Sequence, residues 1–230
     1  MLTNKINFRN PLSIIGGDIL PEGGFGTVLA RAGVGKTALL IQIALNSMLN
    51  NKNILHISLN DSVDKAGLWY EEVFRNIANQ NNVKQADRLW ESVLPRRFIM
   101  AFDTGGFSLP RLKERLDSLT EQNIFIPQTL LIDGFSFDKN TRKPLEDLKA
   151  YAKSKRVNIW FAMRTHRHEV PGPDGIPAPL FHVSDLFEVA ILLQPEEQKI
   201  RVIALKGEVG GSNRPPLLLD PSTMLIKNDE

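Results

Sequence analysis

Short apolar runs rich in β-branched residues alternate along the chain with longer stretches in which apolar positions recur every three or four residues. The runs Phe25–Ala30, Asn53–Leu59, Arg97–Phe102, Thr129–Asp133 and Val157–Met163 have the length and composition of buried strands. Between them the helical period predicts helices over Lys36–Asn50 and about Val63–Asn79, with a short one near Lys84–Ser92 ahead of Pro95. After Ser108, the side chains of Leu109, Leu112, Leu116 and Leu119 share one helical face, with Ser108 placed as N-cap and Pro110 in the first turn. Leu145, Leu148 and Tyr151-Ala152 predict a further helix capped by Asn140 or Thr141. Strands alternating with helices imply a parallel sheet covered by helices.

Beyond about residue 187 the pattern changes. Val189–Leu193, Ile200–Lys206 and Leu217–Leu219 predict more strands, with an antiparallel hairpin around Pro195-Glu196-Glu197-Gln198. The stretch Arg164–His182 carries Pro171, Gly172, Pro173, Gly175, Pro177 and Pro179 and is expected to lack regular structure. Loops of that length are usually functional or disordered. The 230 residues suit a single α/β domain over 1–230, able to bury about 70–75% of the surface exposed by the unfolded chain. No internal repeat is present.

The turn from the first strand into the first helix reads Ala30-Arg31-Ala32-Gly33-Val34-Gly35-Lys36-Thr37. Glycines let a backbone approach polyphosphate closely, and successive N–H groups at a helix start face its negative charge. This is the order of a phosphate-binding loop, with Ala standing where the strict pattern has its first Gly. The contacts expected to nucleotide run over Ala32, Gly33, Val34, Gly35, Lys36, Thr37 and Ala38, with Lys36 reaching the β- and γ-phosphates and Thr37 holding Mg²⁺. The run Thr129-Leu130-Leu131-Ile132-Asp133 ends in an acid, which at the carboxyl end of its strand would anchor the same metal. Lys36 and Asp133 are 97 residues apart with two predicted strands between them, which favours ATPases having a strand inserted between these two over simple nucleotide kinases.

Composition narrows the classes. With no cysteine there is no disulfide framework, thiolate nucleophile or Cys-based zinc site. The first residues lack the apolar core of a signal peptide, and no run approaches the roughly 18 apolar residues of a membrane helix, so a cytoplasmic protein without membrane contact is expected. A net charge of +2 does not by itself argue for nucleic acid.

Together these residues resemble the RecA-like ATPases, within them the KaiC and DnaB-helicase group. The resemblance covers most of the chain. Gly16-Gly17 and Leu20-Pro21-Glu22-Gly23-Gly24 are similar to the lead-in, Ile54–Leu59 to the second strand, Leu130–Asp133 to the metal strand and Ile159–Arg164 to the sensor strand. Ser184–Ala190 and Ala204-Leu205-Lys206-Gly207-Glu208 resemble the late segments, the latter where relatives carry a trans-acting basic pair. The resemblance implies Mg²⁺ and ATP as ligands and a homo-oligomer with nucleotide near a subunit interface. Within 230 residues the extra amino-terminal domain of replicative helicases is not expected, which disfavours a stand-alone replication motor.

Three departures matter. Where the family ends its second strand in a water-activating glutamate, this chain has Asn60 and then Asp61, which either substitutes as base or caps the next helix near Ser62. Asparagine cannot accept a proton, so slow hydrolysis is the expectation, since a lost base removes about 10²–10⁴-fold of rate. The sensor strand ends in Met163, Arg164, Thr165 and His166 instead of glutamine; Arg164 either meets the γ-phosphate or a neighbour, or is a solvated strand-end arginine. Lys206 is either a trans-acting residue or an ordinary strand-end lysine, its partner in the family pair being replaced by Glu208.

Nucleic acid is a weaker expectation. Arg164-Thr165-His166-Arg167-His168 is basic, and Arg111, Lys113 and Arg115 lie on a helix, but Glu169 and Asp174 dilute the loop and no aromatic residues interleave with its arginines. A solvated loop or protein-docking lid fits better. In Thr104-Gly105-Gly106-Phe107, the aromatic is either a partner anchor or packs under the following helix. His56 reads as a packed strand residue, and His166, His168 and His182 do not make a zinc site. The expected function is a slow Mg-dependent ATPase whose nucleotide state controls oligomerisation or a protein partner. The alternatives are a non-hydrolysing nucleotide-dependent scaffold and a small-molecule kinase with Arg164–His182 as lid.

Overall fold

Apolar residues that are buried on both faces of a strand need helices above and below, and the chain supplies them in alternation. The computed structural model describes residues 19–102, 107–138, 140–166, 172, 175–207 and 216–228. Its strands are β1 (Phe25–Ala30), β2 (Ile54–Ser58), β3 (Arg97–Ala101), β4 (Thr129–Asp133), β5 (Asn158–Arg164), β6 (Val189–Glu196), β7 (Lys199–Lys206), β8 (Leu217–Leu219) and β9 (Ile226–Asn228). The helices are α1 (Lys36–Leu49), α2 (Val63–Gln80), α3 (Ala86–Val93), α4 (Leu109–Glu121), α5 (Arg142–Lys155) and α6 (Ala178–Phe181).

All the described strands join one sheet in the order β3-β2-β4-β5-β1-β6-β7-β8-β9. The pairs from β3 to β6 are parallel and those from β6 to β9 antiparallel. The fold is therefore α/β with a mostly parallel centre and antiparallel C-terminal strands, and β5 lies between β1 and β4. Among the described residues no helix is long and apolar enough to cross a membrane.

Two apolar clusters sandwich the sheet. One is built on α1 and α2, with Val28, Ile54, Leu131 and Trp160 from the strands. The other is built on α4 and α5, with Phe25, Leu29, Ile57, Ile132 and Phe161. The α4 leucines at 109, 112, 116 and 119 are all buried, each such burial being worth about 1.5–3 kcal/mol, and the Ser108 hydroxyl caps the Arg111 N–H at 3.3 Å. Phe107 packs edge-on to Phe102 with centroids 5.3 Å apart, so it joins this second cluster.

Several expectations need correction. Thr141 precedes α5 but makes no side-chain cap: its hydroxyl donates to Asp138 O at 2.7 Å, leaving the helix start without it. The stretch Arg164–His182 is not wholly irregular, because Arg164 ends β5 and Ala178–Phe181 forms α6 with Pro179 in the first turn, where no N–H is required. Pro171, Pro173, Arg167, His168, Glu169, Asp174, Thr104, Gly105, Gly106, Gly16, Gly17 and Glu208, singled out above, lie outside the described residues. Strand β9 went unrecognised.

Two polar arrangements lie in or against the core: His56 is packed in its strand as expected, whereas the half-buried Lys149–Glu188 pair had no sequence signal. Lys149, on α5, donates to Glu188 Oε1 at 2.7 Å and to Leu186 O at 2.8 Å, while Glu188 Oε2 accepts from Phe25 N at 2.7 Å. This pins the approach to β6 against the start of β1. His56, 1% exposed on β2, meets Tyr70 Oη through Nδ1 at 3.2 Å, and its Nε2 has no partner among the described residues. Burial, opposed by Asp133 and reinforced by Arg97, holds its pKa down from 6.5 to about 4. The fold thus keeps the imidazole neutral while the unfolded chain protonates it below about pH 6.5. Stability should accordingly fall as pH drops from 6.5 towards 4, by about 3 kcal/mol in full. Urea unfolding at pH 7 and 4.5 measures this, and His56→Gln should flatten that part of the profile.

Candidate functional site

The carboxyl ends of the adjacent parallel strands β4, β5 and β1 lie side by side, and in open α/β sheets ligand crevices form outside such ends. Here β1 has to become α1 within five residues. The conversion goes through Gly33 at φ 76° and Gly35 at φ 102°, the latter being the residue immediately before the helix. Only glycine takes that left-handed conformation without strain. Neither a side-chain cap nor an acidic residue occupies the first turn of α1, so its leading N–H groups carry the positive end of the helix dipole without an internal counter-charge.

Lys36 folds back over this bend. Its Nζ donates to Ala30 O at 3.1 Å and Arg31 O at 2.8 Å, which fixes the ammonium and leaves one of its three protons for an external acceptor. Burial lowers its pKa, Asp133 opposes the shift and Arg164 adds to it. Next to it, Thr37 Oγ1 donates to Asp133 Oδ2 at 2.5 Å, across the space between α1 and β4. A hydroxyl and a carboxylate side by side are oxygen donors of the type hard divalent cations take.

These groups open into a pocket of about 420 Å³. Its lining includes Ala32, Lys36, Thr37, Asn60, Asp133 and Arg164, together with Phe135, Phe137, Pro179 and His166. Lys36 and Arg164 face one carboxylate among the described lining residues, an excess of positive charge suited to an anion. Space beside Gly33 is open: a Cβ there would meet nothing within 4 Å.

The structure brings Lys36, Thr37, Asp133 and Arg164 together, Arg164 standing opposite Ala30 in the β1–β5 register. It does not bring Asp61. Ser58 Oγ donates to Asp61 O at 2.8 Å and accepts from Asp61 N at 3.1 Å, and this tight turn places Asn60 in the pocket wall. The Asp61 carboxylate pairs instead with Lys65 Nζ at 2.7 Å, while Ser62 caps α2. Lys206 is also elsewhere: it donates to Ser184 O at 2.8 Å at the end of β7. Arg111 and Arg115 line a separate groove beside β3 and Lys113 bonds Asp147 O, so they do not converge with Arg164. Among the described residues no cluster of histidines and acids is able to hold a metal.

Sequence reasoning missed Gly134, Phe135 and Phe137, whose signal was their position directly after the strand-terminal acid. Gly134 has φ 91°, and a Cβ on it would lie 2.4 Å from Asn60 Nδ2, so the wall that carries Asn60 depends on that glycine. No protein-family model matches the chain, and no curated protein is significantly similar to it. Gly134→Ala should cost about 1–3 kcal/mol through backbone strain and displacement of Asn60, read as a lower midpoint in chemical denaturation.

Proposed function

We infer that this pocket binds a nucleoside triphosphate with magnesium, ATP being the nucleotide implied by the resemblance to RecA-like, KaiC- and DnaB-type ATPases, and that turnover is slow. The observation carrying this reading is the anchored Lys36 ammonium beside the Thr37–Asp133 pair at an uncapped helix start. The place of β5 between β1 and β4 supports the RecA-like assignment.

The chain's own groups divide the work. The N–H groups of the loop and the spare proton of Lys36 hold the terminal phosphates, and Arg164 adds charge on the open side. Thr37 and Asp133 are the residues that would hold Mg²⁺. When bound there, magnesium would neutralise phosphate charge. Asn60 can orient a water through its amide but cannot take its proton. With Asp61 engaged by Lys65 and Asp133 by Thr37, the described lining holds no uncommitted carboxylate base, which supports slow hydrolysis. A long-lived nucleotide suits a protein whose occupancy controls self-assembly or a partner. The same feature favours, as second reading, a scaffold that binds without hydrolysing.

Calorimetry with Mg-ATP should give heat of binding, and Lys36→Ala should weaken it about tenfold to a hundredfold by removing a charge-assisted bond. Steady-state phosphate release should be slow in the wild type and rise in Asn60→Glu. Absence of heat from the wild type would sink the nucleotide assignment. Unmeasurable phosphate release would select the scaffold, and labelled γ-phosphate passing to a metabolite instead of water would select a kinase.

A further inference from the structure

The front of the phosphate loop is open at Gly33, but its back is not. A Cβ on Gly35 would lie 2.6 Å from Leu219 Cδ2 and 3.2 Å from Met224 Sδ, so a shelf from β8 and the turn after it presses on the residue that starts α1. Gln42, buried on α1, holds that shelf from within. Its Nε2 donates to Met224 O at 2.8 Å and more weakly to Ala38 O at 3.3 Å, while its Oε1 accepts from Ile226 N at 3.0 Å. The amide thereby holds the turn at Met224 and the first residue of β9 together. Met224 is held at φ 54°, a left-handed conformation that a non-glycine residue keeps only when its surroundings impose it. Met224 N donates to Asp220 O at 2.7 Å and Asn76 Nδ2 to Thr223 O at 3.2 Å, which ties the same turn to β8 and to α2.

The orientation of the loop N–H groups follows from the Gly35 dihedrals, φ 102° and ψ 17°, and the shelf limits how far they relax. Resting on the triphosphate reading above, we propose that Gln42 is a positioning residue for the phosphate loop, acting through Met224 on Gly35, so that nucleotide binding and the order of the outer hairpin β8–β9 are coupled. Coupling of this kind is reciprocal: a ligand that fixes Gly35 steadies β9, and whatever engages the edge strand β9 alters nucleotide affinity by the same factor.

The test uses the intact chain, with calorimetry and amide hydrogen exchange on the same samples. Saturating Mg-ATP should slow exchange at Ile226, the amide bonded to Gln42, by about fivefold or more, while Gln128, bonded to Asn53 O, should change less. Gln42→Met keeps the side-chain length and removes all three polar contacts. It should weaken Mg-ATP binding about tenfold at a temperature where circular dichroism shows the variant fully folded, and Ile226 should no longer respond. Heat of binding in the wild type with no selective change at Ile226 overturns the coupling alone, as does wild-type affinity in a folded Gln42→Met. Absence of any heat in the wild type overturns the triphosphate reading and the coupling with it. If Gln42→Met does not fold, the wild-type exchange result decides.

Discussion

The bend that turns β1 into α1 is the constraint on which the rest depends. A strand buried along its whole length has to reverse into a helix of which ten of fourteen residues are buried, and the reversal passes through a left-handed Gly35. Burial of the strand and the helix fixes both ends of the bend, so the five residues between them have little freedom. Lys36 closes over the carbonyls of Ala30 and Arg31. A pocket lined by two cations and one carboxylate among the described residues results from packing, before any ligand contributes.

Charge is distributed to the same end. The described lining pairs two cations with a single carboxylate, and that carboxylate is already engaged by Thr37. A second acid stands close by in the chain, yet the Ser58–Asp61 turn directs it to Lys65 and presents the neutral Asn60. On the proposed reading, such a site holds a polyanion and cleaves it slowly. Elsewhere charge has a structural use: the half-buried Lys149–Glu188 pair joins α5 to the backbone of β1, where removing either partner would leave the other desolvated.

The sheet extends well past the strands needed to form the pocket. Its antiparallel end returns over α1, where Gln42 clamps Met224 and Ile226 and where Leu219 abuts the loop glycine. The outer edge of the sheet and the bend at Gly35 are therefore parts of one packed unit, and Gln42, buried on α1, holds that edge.

Much of this was legible in the chain itself. Period and composition located β1 and β4 to the residue and most other elements to within one or two, because strands buried on both faces and helices with one apolar stripe leave strong local patterns. The spacing of Gly33, Gly35, Lys36 and Thr37 marked the bend, and an apolar run ending in Asp133 marked its partner. What tertiary structure decided were relations between residues far apart in sequence or set by one hydrogen bond. The choice between Asn60 and Asp61 turned on the Ser58 hydroxyl, the place of Lys206 on a carbonyl at Ser184, and the role of Gln42 on a turn 182 residues later. Local pattern records which face of an element is apolar; it carries no record of which distant backbone group will lie against a polar side chain once the faces are packed.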